Sequence, residues 1–172
     1  LCTKAKALAK EMNYRPNPFA MSLRKNAPRI IGVIVPDIVT HFFASILNGI
    51  ENMAIANGYF VIITTSHESY EHEKRNIENL VNMRVEGIIA CLSQETTDFS
   101  HISALKDINM PLILFDRVCL TDQFSSVIAD GAQSAQMATQ HLLDNGSKRV
   151  AFIGGANHLD IVKRRKHGYL EA

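Results

Sequence analysis

Six short runs, Arg29–Pro36, Tyr59–Thr65, Gly87–Leu92, Pro111–Asp116, Ser126–Asp130 and Arg149–Gly154, are nearly continuous in Val, Ile, Leu and Phe. A strand with one wet face alternates apolar and polar residues, so a run without that alternation belongs to a strand covered on both sides. The segments between the runs carry helical spacing instead. Phe43, Ile46, Leu47, Ile50, Met53 and Ala54 form one apolar stripe, stopped by Asn57-Gly58. Ile77, Leu80 and Val81 mark a second helix, whose first turn places Glu71 and Glu73 at the positive end of the helix dipole. Ile102, Leu105 and Ile108 mark a third before Pro111, and Ala135, Ala138 and Leu142 a fourth before Asn145-Gly146. Strand and helix in alternation, with short connections, predict an α/β fold built on a doubly wound parallel sheet.

The first 28 residues follow another rule. Thr3 to Asn13 is rich in Ala, Lys and Leu and predicts a helix. Tyr14-Arg15-Pro16-Asn17-Pro18 breaks it, because a proline disfavours helix in the residue before it. Asn17 can cap a second short helix from Phe19 to Lys25, with Pro18 in its first turn. At the other end, the run Arg149–Gly154, a loop at 155–160 and a helix at 161–172 read as the opening of a further lobe, since one strand and one helix cannot bury their own apolar faces. The expected organisation is therefore an amino-terminal segment at 1–14, a short helix and linker at 15–28, a first lobe at 29–147 and the start of a second at 148–172.

Charge separates the same pieces. Residues 1–29 hold seven basic side chains against Glu11 alone, a charge of +6, while the rest holds 11 basic and 16 acidic side chains, or −5. A basic arm on an acidic body fits nucleic-acid contact confined to one end, phosphate neutralisation being the sequence-independent part of such binding. A solvated basic tail is the plainer alternative. No run approaches the 18 or so consecutive apolar residues of a membrane helix, and the amino terminus lacks the apolar stretch of a secretory signal. Cys2, Cys91 and Cys119, odd in number and widely spaced, argue for a reducing compartment and a cytoplasmic location.

Ligands of open parallel sheets sit outside the carboxyl ends of the strands. Here those ends carry Asp37, Ser66, Cys91 to Ser93, Asp116 and Asp130, with Phe42 and Phe43 opening the first helix beside them. Aromatic faces beside a carboxylate suit a sugar or a nucleoside-like molecule, whose apolar face stacks while its hydroxyls or amines take hydrogen bonds. Phe43 also falls on the core stripe, Asp116 also suits a strand-end cap, and Cys91 also suits a buried small apolar residue.

Asn13-Tyr14-Arg15-Pro16-Asn17-Pro18-Phe19-Ala20-Met21-Ser22-Leu23-Arg24, then Ile31-Gly32-Val33-Ile34-Val35-Pro36-Asp37, His41-Phe42-Phe43, Arg84-Val85-Glu86-Gly87-Ile88-Ile89, Phe115-Asp116-Arg117, Arg149-Val150-Ala151-Phe152-Ile153-Gly154-Gly155 and Arg165-Lys166-His167-Gly168-Tyr169 occur in order along the chain. Together they closely resemble the lactose/galactose repressor family of bacterial transcription regulators. The resemblance implies a helix-turn-helix headpiece ending near residue 14, a hinge helix, and a two-lobed effector domain similar to periplasmic sugar-binding proteins. It also implies a ligand-responsive repressor that binds operator DNA as a homodimer, with no cofactor, no metal and no catalysis. DNA contact would fall to Tyr14, Asn17, Ala20, Leu23 and Arg24, with Leu23 wedged into a minor-groove base step. The effector, a sugar or sugar derivative, would meet Phe42, Phe43, Cys91 and Asp116 from one lobe and Arg165 from the other. The expected dimer surface is the outer side of the first helix, at Ser45, Asn48, Gly49 and Asn52, with the helix at 77–84. Met21 and His41 depart from the residues common in the family at those positions.

Two other classes share such a sheet. A periplasmic solute-binding protein would have the lobes without the basic arm. An enzyme would need a nucleophile or metal set, and Ser66-His67-Glu68 lacks a nucleophile elbow, while His67, Glu71, His72 and Glu73 read as a loop and a solvated helix start.

Overall fold

The computed structural model describes Leu8, Ala9, Glu11, Met12, Tyr14 and residues 29–172. Leu8, Ala9 and Glu11 are helical, as the composition of the first segment predicts. The expected hinge helix from Asn17 to Lys25 lies outside the described residues, and with it Ala20, Leu23 and Arg24.

From residue 29 the elements run β1 (Ile30–Val35), α1 (His41–Ala56), β2 (Phe60–Thr65), α2 (Tyr70–Asn82), β3 (Gly87–Ala90), α3 (Ser100–Asp107), β4 (Leu112–Phe115), β5 (Ser125–Val127), α4 (Gly131–Asp144) and α5 (Asp160–Glu171). The five strands form one sheet in the order β2-β1-β3-β4-β5, every pair parallel. Strands β1 to β4 divide their apolar side chains between two cores, as period two requires, while β5 at the edge is exposed. Ile30, Ile34, Ile88, Ala90, Leu112 and Leu114 meet Ile77 and Leu80 of α2 and Ile102 and Leu105 of α3 on one face. Val33, Val35, Cys91 and Phe115 meet Phe43 and Leu47 of α1 on the other. Burial on both faces is why β1 reads as an unbroken apolar run.

Two glycines let elements approach closely. A Cβ on Gly32 of β1 would stand 2.6 Å from Leu80 Cδ1, so the bare backbone is what admits α2 to the sheet. A Cβ on Gly168 of α5 would run into the Ala132 backbone of α4. The α4 helix packs chiefly on α5, and its Met137 and Leu142 are exposed. The expected lobe division at residue 147 falls between these two helices, which pack on each other.

One predicted strand does not form. Arg149–Gly154 has no regular secondary structure and pairs with no described strand, and the Ile153 side chain is exposed. A strand exists through its ladder, and no described strand lies alongside to supply one. The segment is instead fastened to α5, where Phe152 stacks on Tyr169 with centroids 5.4 Å apart and Tyr169 Oη donates to the Val150 carbonyl at 2.8 Å.

Candidate functional site

At the carboxyl edge of the sheet most of the expected polar groups are occupied in holding the edge together. Asp37 Oδ1 accepts the N–H groups of Val39 and Thr40 at 2.8 and 3.0 Å, which turns the chain into α1. Ser66 and Ser93 are fully buried, and Ser93 Oγ donates to Ser66 Oγ at 2.9 Å. Asp130 caps α4 by accepting the Gln133 N–H at 3.0 Å.

Asp116 is different. It follows β4 in the left-handed region, at φ +58°, and is half-buried. Burial raises its carboxyl above the usual range, against the opposing pull of Arg117 and Arg165. Arg165 comes from α5, its stem packed beside Gly131 at the start of α4. The Asp116 carboxyl thus lies within the electrostatic reach of Arg165, while the small crevice beside it is lined from α5 by Asp160, Ile161 and Arg164.

The aromatic pair divides. Phe42 is 50% exposed and sets its ring edge-on to Phe43, with centroids 5.1 Å apart. Phe43 turns inward onto Phe115 at 6.4 Å and is buried among Leu47, Val33 and Val35. Cys91 is fully buried in that same cluster, and burial pushes its thiol up to about 12. The structure thus corrects two expected effector contacts: Phe43 follows the core stripe of α1, and Cys91 closes the core beneath it. Phe42 alone is left at the surface.

Two pairs at this edge were not anticipated. Arg117 reaches from β4 to the loop after β2, where its Nη1 and Nη2 donate to Glu68 Oε2 and Oε1 at 2.6 and 2.9 Å, and Nη1 also meets the Leu92 carbonyl at 3.2 Å. Glu68 Oε2 accepts the Gln94 N–H at 2.7 Å as well. The Gln94 carbonyl in turn lies 2.7 Å from Nε2 of His158, in the turn before α5. Beneath this loop Glu73, with no exposure at all, accepts from Ser93 N–H at 2.5 Å, Thr96 Oγ1 at 2.9 Å and His101 Nε2 at 2.9 Å. The reading of Glu73 as a solvated first-turn residue is therefore overturned. Its spacing of four and seven from Ile77 and Leu80 puts it on the buried stripe, a signal present in the sequence.

A cavity of about 230 Å³ opens between these groups, lined by Ser93, Thr96, Arg117, His158, Asp160 and Lys163. It shares Asp160 with a small crevice at Asp116, Ile128 and Arg164. The residues after β3 and β4 and the start of α5 thus enclose a cavity that contains Arg117, with the Asp116 crevice adjoining it at Asp160. Arg117, Asp160 and Lys163 there offer charge-assisted hydrogen bonds to hydroxyl groups. Among the described residues no cluster of His, Cys, Asp and Glu is arranged to hold a metal ion. No described helix is long and apolar enough to cross a membrane.

Of the expected interaction surfaces, Ser45, Asn48, Gly49 and Asn52 are exposed along α1, and Tyr14 is exposed.

Comparison with known proteins follows the same outline. The family described as periplasmic binding proteins and sugar binding domain of LacI family matches residues 29–172. Catabolite control protein A of Priestia megaterium is 33% identical over 166 residues, covering 94% of this chain and 49% of that protein. The ribose operon repressor of Halalkalibacterium halodurans is 30% identical over 162 residues, covering 94% of this chain and 47% of that protein. The crystal structure of transcription regulator CcpA of Lactococcus lactis superposes with a TM-score of 0.75 at 28% identity, over 83% of this chain and 52% of that one. The chain spans about half the length of the curated relatives it matches.

Proposed function

The chain belongs to the family of periplasmic binding proteins and LacI-type sugar-binding domains, and from that membership we propose that it is the ligand-sensing part of a cytoplasmic bacterial repressor. In this reading a sugar-like effector binds between two lobes, and the intact protein holds operator DNA as a dimer. Its relatives include a catabolite control protein and a ribose operon repressor, and the +6 arm ahead of the sheet supplies the charge that DNA contact needs. A periplasmic-type solute-binding protein has no use for such an arm.

The observation that carries the reading is the half-buried Asp116 at the end of β4, which feels the charge of Arg165 from α5 beside the start of α4. We place the passage between lobes at 128–130, so that Asp116 belongs to the first lobe and Arg165, with α4 and α5, to the second. An effector held by both favours the closed arrangement, and only that difference in affinity between arrangements can move an attached hinge. Phe42 covers the apolar face of the ligand. Leu23 of the hinge enters a base step while Arg24 holds phosphate, and Tyr14, Asn17 and Ala20 complete the contact. The dimer forms through the exposed side of α1, with α2 beside it, because paired hinges require a two-fold axis. The protein acts by binding, with no catalytic step.

Operator binding by the intact protein, measured by gel shift with and without a panel of sugars, tests the reading. One sugar should change operator affinity in the wild type, and Asp116→Ala should bind operator normally while losing that response. Equal responses in wild type and Asp116→Ala remove the effector-site assignment. Absence of DNA binding by the intact protein removes the repressor reading.

A further inference from the structure

The charges that meet this cleft are matched almost group for group. Asp116 lies within the pull of Arg117 and Arg165, and Asp160 takes the Arg164 Nε at 2.5 Å. Arg117, the guanidinium nearest the strand ends, has both arms on Glu68 and one on the Leu92 carbonyl. The Arg117 side chain is only 18% exposed and that of Glu68 38%, so the pair is partly withdrawn from solvent. Lys163 at the rim is exposed, and its charge is left to water.

We propose that Glu68 is a specificity-determining residue of the cleft: by taking both arms of Arg117 it cancels the charge on the cleft floor, admits uncharged polyhydroxylated ligands and excludes anionic ones. A lone guanidinium in a half-buried cavity is an anion site, because its planar donors match a phosphate or carboxylate at two points. Glu68 occupies that geometry itself. Its own placement is firm, since Oε2 is also held by the Gln94 N–H, and the loop bearing Gln94 is anchored from below by Glu73 through Ser93 and Thr96. An incoming anion would have to displace a carboxylate that three donors already hold. A sugar hydroxyl faces no such competition, because the backs of the paired groups still accept and donate hydrogen bonds. The burial of the pair supports this, with Glu68 held below its ordinary range by the Arg117 and Gln94 hydrogen bonds in spite of its desolvation.

The proposal rests on the reading of this cleft as the effector site, and its test is kept separate from DNA and effector. Inorganic phosphate is titrated calorimetrically into the intact protein in chloride buffer. Glu68→Gln keeps the shape and an acceptor for Gln94 but frees the Arg117 charge, so phosphate should bind at least about ten-fold more tightly than to wild type, the worth of one charge-assisted hydrogen bond. Glu68→Ala should show the same gain and serves if the glutamine variant does not fold. Glu68→Asp, which keeps the charge, should match wild type, and Glu68→Gln with Arg117→Gln should abolish the gain. No gain in either charge-removing variant overturns the proposal, and a gain that survives loss of Arg117 assigns phosphate to Lys163 and overturns it too. A sugar-responsive repressor whose Glu68 variants gain nothing keeps the effector reading and loses this one. Phosphate gain without any sugar response does the reverse.

Discussion

Glu73 of α2 and His101 of α3 meet inside the protein, His101 Nε2 2.9 Å from Glu73 Oε1, with Glu73 fully enclosed. Ser93 N–H and Thr96 Oγ1 complete the set of donors around the carboxylate, so a single side chain ties α3 and the cleft loop 93–96 to α2. Removing an acceptor while its buried donors remain costs more than the bond itself was worth.

Glu73→Ala should therefore destabilise the fold by about 3–5 kcal/mol, the range found when one partner of a buried polar pair is deleted. Glu73→Gln should fall between, since it retains one acceptor oxygen while its NH₂ group requires the Thr96 hydroxyl or His101 Nε2 to turn from donor to acceptor. Urea denaturation of the three proteins checks this. A loss under about 1 kcal/mol in the alanine variant would place Glu73 among ordinary surface positions.

Gly32 offers a case in which two effects oppose. Alanine in a strand interior is ordinarily favoured over glycine by about 0.5–1 kcal/mol of chain entropy. Here the new Cβ meets Leu80 at 2.6 Å, and Leu80 is itself 1% exposed and has nowhere to go. Overpacking of a filled core costs about 1–3 kcal/mol, so the clash wins and Gly32→Ala should be less stable than wild type. The loss should shrink when Leu80→Ala is added, a coupling that a double-mutant cycle in denaturant reads directly. Additive losses would mean that Leu80 is not what the glycine accommodates.

Cys91 and Cys119 are both buried free thiols pushed up to about 12. The thiolate is the reactive form, so neither should be alkylated by iodoacetamide at neutral pH on the time scale of exposed cysteine, and both should react at once in denaturant. Peptide mass mapping locates the labels. Rapid native labelling of Cys91 would return it to the cleft surface and undo its place in the core.

The parts of this molecule that follow a local period were legible beforehand. Val33 and Ile34 point to opposite cores because a strand alternates, and the 43, 47, 54 stripe buries Phe43, Leu47 and Ala54 because a helix turns every 3.6 residues. The same logic already placed Phe43 and Glu73 inward, and chemistry alone had drawn Phe43 toward the ligand and Glu73 toward water. What no period encodes is a meeting across the fold. Glu68 and Arg117 stand 49 residues apart, and only the order β2-β1-β3-β4 brings their strand ends within reach. Arg149–Gly154 failed in the complementary way, since its composition favours a strand and pairing depends on neighbours that a run of residues cannot specify. Asp116 was legible as a strand-end carboxylate, but its left-handed backbone was not.

The two cleft carboxylates answer to pH with opposite sign. Glu68 is raised by burial and lowered further by Arg117 and the Gln94 N–H, ending below its ordinary 4.5. Its ionised form is held better in the folded chain, so that contribution is complete above 4.5 and is lost as the pH falls through the folded value. Asp116 is raised by burial above its ordinary 3.8, more than Arg117 and Arg165 lower it. Ionising Asp116 thus costs stability, with no penalty below 3.8 and the full penalty once the pH has passed the folded value. Asp116→Asn removes that penalty, and asparagine tolerates the left-handed backbone at this position. It should raise the thermal midpoint at pH 7 and lose the advantage in acid, whereas Glu68→Gln should lower the midpoint at pH 7 and converge on wild type as the pH drops. Melting curves from pH 3 to 7 decide the matter: an Asp116→Asn variant less stable than wild type at pH 7, or a Glu68→Gln deficit independent of pH, would contradict the assignment. A stabilised Asp116→Asn variant that no longer responds to effector would identify Asp116 as a residue kept at the expense of stability because ligand capture requires its charge.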